Sequence, residues 1–224
     1  KVQLVSYSKP APGFEAEGVD DVQELIAFCA RVSNPSAQIN TETSEKLIRY
    51  LVKHQHWSPL EMVSACLEIE TTRDIAHQIV RHRSFSFQEF SQRYANPVED
   101  LAFASREARL QDTKNRQNSI ELDLENDEED QKLDQMWRAK QDAVIMAADK
   151  AYRWAIENGI AKEQARVVLP EGLTKTRLYM NGTLRSWVHY IELRSAHGTQ
   201  KEHMEIAKEC AKVISEIFPL AETL

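Results

Sequence analysis

Residues 81–94 read Arg-His-Arg-Ser-Phe-Ser-Phe-Gln-Glu-Phe-Ser-Gln-Arg-Tyr and hold three arginines, one histidine, one glutamate and three serines. Guanidinium forks grip phosphates and carboxylates through paired N–H donors, and a neighbouring carboxylate or hydroxyl can select sugar hydroxyls or base edges. The mixture suits a nucleotide-like anion. A solvated basic loop is the competing reading, because exposed charge is ordinary. Elsewhere His54 and His56 stand two apart, but a metal needs three or four ligands and none is placed beside them, so no metal is expected. Cys29, Cys66 and Cys210 are odd in number and far apart, which makes neither a disulfide framework nor a zinc set. Each lies in an apolar segment without cations to lower its pKa, and reads as a small buried hydrophobe.

The elements that must position these groups follow from periodicity. Residues 1–8 alternate as a strand, broken by Pro10 and Pro12-Gly13. Asp20 or Asp21 can cap a helix carrying Val22, Leu25, Ile26 and Cys29, and Thr43 or Ser44 opens another with Leu47, Ile48, Leu51 and Val52. Residues 62–70 alternate as a half-buried strand. Thr72 then caps a helix through Ile75, Ala76 and Ile79, which puts Gln78 and Arg81 on one face. The basic stretch therefore begins on a rigid helical end and continues into a loop. Residues 99–111 read as helical, and residues 115–130 as a mobile acidic connection.

A long helix is predicted over residues 130–158, stopped by Asn158-Gly159, and a shorter one over 162–168. Residues 174–180 alternate as a strand, and Asn181-Gly182 reads as a turn into a helix through Leu184, Trp187, Val188 and Ile191. On that helix Arg185 and His189 share a face, whereas Arg194 falls in line with the apolar stripe, seven residues after Trp187. An arginine aligned with a packing face needs an anionic or carbonyl partner. The last helix carries Ile206, Val213, Ile214 and Ile217 and closes the core.

The sum is an α+β fold, one domain over residues 1–224 with a mixed or antiparallel sheet and several long helices. A content of 42% hydrophobic and 28% charged residues is that of a soluble globular chain. No run of eighteen apolar residues and no apolar leader is seen, so neither a membrane nor a secretory route is expected and the location reads as cytoplasmic. A formal net charge of −7 argues against nucleic acid as partner, although a small anion remains compatible. No Walker loop or Gly-x-Gly-x-x-Gly occurs.

The stretch resembles the signature of the flavin-dependent thymidylate synthases, in which Arg-His-Arg is followed at fixed spacing by Ser, Glu, Ser, Arg and Tyr. Arg81, His82, Arg83, Ser86, Glu89, Ser91, Arg93 and Tyr94 occupy those places, with Gln88 where Asn is usual. Other islands match as well: residues 29–33; His56, Ser58, Pro59 and Glu61, with Met62 where a further His is common; residues 165–170; and Arg194-Ser195-Ala196-His197, which sits where the family has its Leu-Arg-x-x-x-His run.

The resemblance implies reductive methylation of deoxyuridylate (dUMP) to deoxythymidylate (dTMP). Methylenetetrahydrofolate supplies the carbon, FAD carries hydride and NADPH reduces the flavin. It also implies flavin contacts from Ser58, Arg81, His82, Arg83, Glu89, Thr183, Arg185 and His189, Thr183 replacing the usual Asn. Ser33 is either a further flavin contact or a helix-ending serine. The implied dUMP ligands are Gln78, Arg81, Glu89, Phe90, Ser91, Gln92, Arg93, Arg166 and Arg194, with Arg194 binding and activating the uracil ring. A homotetramer with sites at subunit boundaries is implied too. The rival from another class is a non-catalytic nucleotide- or RNA-binding module in which Phe85, Phe87 and Phe90 stack on bases. A hydrolase using a metal at His54, His56 and His82 is the third.

Overall fold

The central strand is built by alternation: Ala65, Leu67 and Ile69 are buried while Cys66, Glu68 and Glu70 face the other way. The computed structural model describes residues 1–15 and 17–222. In chain order it begins with β1 (Val2–Tyr7), α1 (Pro12–Glu15), α2 (Val22–Ala30), α3 (Ser44–Lys53), β2 (Ser64–Thr72), α4 (Arg73–Ile79) and β3 (Ser86–Glu89). Then come α5 (Pro97–Asp100), β4 (Arg109–Gln111), β5 (Ser119–Glu121), α6 (Glu128–Glu157) and α7 (Lys162–Ala165). β6 (Lys175–Thr183), α8 (Leu184–Ser195) and α9 (Lys201–Ile217) complete the site-bearing part.

The main sheet has the order β1-β2-β6-β3 and every pairing in it is antiparallel. β2 and β6 are matched over nine pairs, from Ser64 opposite Thr183 to Thr72 opposite Lys175. One face carries the core, in which Ile26, Ile48, Leu67, Ile69, Ile79, Leu178, Met180, Trp187, Tyr190 and Ile214 are all buried. Each such side chain contributes about 1.5–3 kcal/mol when removed from water. The Trp187 indole N–H donates to the Ala65 carbonyl at 3.0 Å, so this large ring is buried without an orphaned donor. On the opposite face Arg177 pairs with Glu70 at 2.6 Å, as expected for a sheet with one wet side.

Three local expectations change. Residues 99–111 are not a helix: Asn96 caps α5, Pro97 starts it, and Ala102, with φ of 65°, ends it. The Ala104 N–H then donates to the Leu173 carbonyl, and Arg109–Gln111 pair with β5, so sheet-like bonds replace helical ones. Asn181-Gly182 is not a turn, since both residues lie inside β6 opposite Cys66 and Ala65. Glycine is needed there for close approach: a Cβ on Gly182 would stand 2.4 Å from the Phe85 ring. Thr183 caps α8 instead, accepting from the Ser186 N–H at 3.2 Å. Finally, residues 86–89 are an edge strand paired with β6 and not a loop.

The acidic stretch contains β5 and the start of α6, where Asp127 accepts from the Glu129 and Asp130 N–H groups. Glu128, Glu129 and Asp130 lie in the first turn, where the helix dipole favours negative charge. α6 buries polar side chains that its apolar pattern does not announce. Asp134 accepts from the Ala108 N–H at 2.6 Å and Gln141 clasps the Arg106 backbone at 2.8 and 2.7 Å, tying residues 106–108 to the helix.

Candidate active site

Three clusters gather the predicted residues. The first sits between the end of α4, α8 and α9. Arg194, partly buried on the Trp187 stripe, donates from Nε to His82 Nε2 at 2.9 Å. This is a neutral acceptor where an anion or a carbonyl was expected. Burial, and then the Arg194 charge, push His82 below its ordinary pKa, so it stays neutral and able to accept. The His82 ring meets the fully buried Tyr190 edge-on at 4.9 Å. Gln78, on α4, lies 3.1 Å from His203 Nδ1, whose other nitrogen is 3.0 Å from the Tyr190 hydroxyl.

The second cluster lines a cavity of about 550 Å³ with Arg73, Gln92, Glu163, Gln164, Arg166 and Glu171 among its walls. Gln92 is buried, while Arg166 at the end of α7 is exposed and has no side-chain partner among the described residues. Glu89, at the end of β3, accepts on Oε1 from Arg73 Nη1 and from the Thr176 hydroxyl, each at 2.8 Å. Arg73 Nε is buried with no partner among the described residues, which leaves one guanidinium donor of this cavity wall unsatisfied. Arg93 reaches Glu163 across the rim at 3.3 Å, an exposed and therefore weak pair. The Ser91 hydroxyl accepts from the Arg93 N–H at 3.4 Å, and among the described residues no base is hydrogen-bonded to it; the Phe90 N–H donates to the Arg177 carbonyl.

The third cluster is open. Arg81 and Arg83 are exposed, and neither guanidinium has a partner among the described residues. The His189 ring packs against Trp57 at 4.6 Å, with exposed Ser58 next in the chain, and Arg185 pairs with Glu61 at 3.3 Å. Arg185 and His189 thus share one side of α8 while Arg194 serves another. Thr183 belongs here only through its place in the chain, because its hydroxyl is engaged as the helix cap.

A larger cavity, about 730 Å³, lies between the β4–β5 hairpin and α6, walled by Leu110, Leu133, Trp137 and Val144 among others. It contains none of the predicted residues, and its arginines are already paired, Arg106 with Asp74 and Arg109 with Glu202. The unsatisfied donors of the smaller cavity make that one the better anion site.

Sequence reasoning missed Arg73, Thr176, Glu163, Glu171, Gln200 and His203. Arg73 and Thr176 meet Glu89 only because α4 and β6 converge on the end of β3. His203 did leave a signal: it lies on the apolar stripe of Ile206, Cys210, Val213 and Ile214, and a buried histidine requires partners. Phe85 is buried against Trp187, with ring centroids 4.8 Å apart, so it is unavailable to stack on a base as the RNA-binding reading required.

The family model described as "Thymidylate synthase complementing protein" matches residues 17–220. The chain is 46% identical over 217 residues to the "Probable flavin-dependent thymidylate synthase" of Paramecium bursaria Chlorella virus 1, covering 97% of this chain and 94% of that one. It belongs to the flavin-dependent thymidylate synthases. Identity is 45% over 218 residues to the "Flavin-dependent thymidylate synthase" of Synechocystis sp., with 97% and 95% covered. Among solved structures, a UMP/dUMP methylase, PolB from Streptomyces cacaoi bound with 5-Br dUMP, aligns with a TM-score of 0.77 at 24% identity over 99% of this chain and 92% of that one. At that identity the likeness establishes the shared α+β fold. Of the departures from the family signature, Gln88 and Met62 are exposed, so neither substitution disturbs the core.

Proposed function

We propose that the chain converts dUMP to dTMP by reductive methylation, with methylenetetrahydrofolate as carbon donor, FAD as hydride carrier and NADPH as reductant. The observation that carries the reading is Arg194. Its Nε is committed to His82, and Nη1 and Nη2 have no partner among the described residues. Such an aimed guanidinium end can meet negative charge developing on a uracil ring, an electrostatic role of the oxyanion-hole kind. Arg166 and Gln92 line the anion cavity, Arg93 reaches its wall at Glu163, and Ser91 precedes Gln92 in the chain; together they supply donors for the nucleotide phosphate. Glu89 keeps Oε2 for a sugar hydroxyl while Arg73 and Thr176 hold Oε1.

The residues also suit the flavin. Arg81 and Arg83 offer guanidinium groups unpaired among the described residues for a diphosphate, and Ser58, His189 and Trp57 form a mixed polar and aromatic wall. Bound FAD supplies the hydride chemistry that no side chain has. Thiolate attack has no support here: burial pushes Cys29, Cys66 and Cys210 all above the usual thiol range.

Assembly into a homotetramer with sites at subunit boundaries belongs to the same proposal. It is supported by the apolar surface of α6 and the adjoining turn, where Met136, Met146, Trp154 and Val167 are each more than half exposed. The opposed placing of Arg185 and Arg194 on α8 lets one helix serve two sites. A cytoplasmic location is proposed with it; no helix among the described residues is long and apolar enough to cross a membrane.

The decisive experiment is an anaerobic visible spectrum. Flavin absorbance should bleach with NADPH and return when dUMP and methylenetetrahydrofolate are added, with dTMP formed in equal amount. A protein that takes up no FAD, or whose reduced flavin is indifferent to both substrates, would refute the proposal.

A further inference from the structure

The hydrogen bonds around His203 have only one self-consistent direction. Glu202 is the fixed end. Although burial raises its pKa, its own backbone N–H, Arg109 at 2.6 Å and Gln200 outweigh that and hold it anionic. A carboxylate only accepts, so Gln200 turns its amide nitrogen to Glu202, at 2.9 Å, and its oxygen to Gln78. Gln78 must then donate from Nε2 to Gln200 Oε1, at 2.8 Å, which leaves its own oxygen facing His203 Nδ1 at 3.1 Å. An amide oxygen cannot donate. His203 therefore carries its proton on Nδ1, and Nε2 accepts from the Tyr190 hydroxyl at 3.0 Å.

We infer that His203 is a positioning residue for the nucleotide: with Gln200 it locks the Gln78 amide so that this side chain offers its second N–H, and never its carbonyl, to the ligand. The inference rests on Gln78 being a dUMP ligand, as proposed above. Gln78 Nε2 has one hydrogen committed to Gln200 and one uncommitted among the described residues. The only chemistry that hydrogen recognises is an acceptor oxygen, which both a uracil carbonyl and a phosphate provide. Without His203 the amide loses the partner that holds its oxygen, and the single bond to Gln200 is left to oppose rotation into an orientation that repels the same ligand oxygen.

The arrangement is tied to the rest of the site through Tyr190. Tyr190 packs against the His82 ring, which in turn anchors Arg194. The inner ends of the two ligand-facing arms thus share one buried aromatic support.

The test is dUMP binding to the FAD-loaded protein by titration calorimetry, comparing wild type with Gln78→Leu, His203→Phe, His203→Gln and His203→Asn. Asparagine places its amide nitrogen where Nδ1 stands and can still donate to Gln78; glutamine places it at the Nε2 position, toward Tyr190. Gln78→Leu, His203→Phe and His203→Gln should each weaken binding about tenfold, the value of one well-placed hydrogen bond, and His203→Asn should recover most of it. All three His203 changes disturb a buried site and lower Tm, so Tm does not decide. Should His203→Phe fail to fold, the Asn and Gln pair, both polar, still discriminates. Equal weakening by Asn and Gln overturns the inference in favour of simple packing. So does a Gln78→Leu protein that binds dUMP as wild type does. Failure of the wild type itself to bind dUMP is a different result: it overturns the nucleotide reading and this inference with it.

Discussion

Arg194 and Arg166 are the same residue type, both matched to nucleotide contacts, and the structure treats them in opposite ways. Arg194 is half-buried in a cluster where Nε, the His82 ring, the Tyr190 hydroxyl and both His203 nitrogens are all engaged. Arg166, like Arg81 and Arg83, is exposed and unpaired among the described residues. Ordering a free arginine costs roughly 1.5–2 kcal/mol of rotamer entropy, which the exposed group loses when ligand arrives and the buried group has lost already on folding. The difference teaches a division of work. Fixed guanidinium groups suit charge that appears for an instant on the ring; loose ones suit a permanent anion that is caught and later released.

The contrast can be broken most directly at Arg194. Arg194→Ala should lower kcat at saturating dUMP about 10²- to 10³-fold, the usual effect of losing one aimed donor in an oxyanion-type site. Steady-state dTMP formation measures it, and a kcat within a fewfold of wild type ends the electrostatic assignment. Arg166→Ala should act on affinity: about 1.5–3 kcal/mol of charge-assisted hydrogen bonding, or roughly 10- to 100-fold in dUMP Kd, with Tm unchanged. A fall in Tm alongside would show that Arg166 supports the fold and that the contrast is misdrawn.

Gly182→Ala probes the support beneath the signature loop. The new methyl meets the Phe85 ring, whose partners Trp187 and Tyr190 leave it little room, so a loss of about 1–3 kcal/mol is expected in denaturant unfolding. A neutral result would mean that Phe85 moves easily and does not steady residues 81–85.

The smallest effect is on pH dependence. His203 is pushed down to about 3 from 6.5, chiefly by burial and further by Arg194 and His82. The unfolded chain gains that proton near its ordinary pKa while the folded chain does not, so the stabilisation is complete above about pH 6.5 and is lost progressively as pH falls toward 3. His82, lowered by burial and by Arg194, acts with the same sign. Tm should therefore drop between about pH 7.5 and 5.5, a window above the ordinary range of carboxylates, and drop less in His203→Asn. An identical slope in the variant would show that His203 is protonated in the fold, against the directed hydrogen bonds drawn above.

Much of this architecture is legible in the amino-acid sequence. The β2 and β6 alternation, the cap at Asp20 or Asp21, the Asn158-Gly159 stop and the apolar stripes of α8 and α9 all depend on neighbours within one or two turns, where period and capping chemistry act. The odd position of Arg194 on an apolar stripe was legible for the same reason, although its partner was not. Where reading failed, long-range contacts had decided. Residues 99–111 lacked a period strong enough to resist the backbone bond to Leu173, and Gly182 looked like a turn because Phe85, the ring that demands it, lies almost a hundred residues away.

What the sequence alone determined, then, is the set of chemical groups, their order, and most of the helices and strands that carry them, because these are local properties of the chain. The chemistry of the fourteen residues from Arg81 to Tyr94 points to a nucleotide-like anion, and their resemblance to the family signature, with the other matching islands, adds the flavin. Only the tertiary structure decided which of those groups are free and which are already engaged. Glu89 spends one oxygen on Arg73 and Thr176, Thr183 spends its hydroxyl on a helix cap, and Gln78 is held by His203 and Gln200, residues more than 120 positions further along the chain. A hydrogen bond is settled by distance and direction in space, and when the partners come from α4, β6 and α9, no spacing along the chain encodes it.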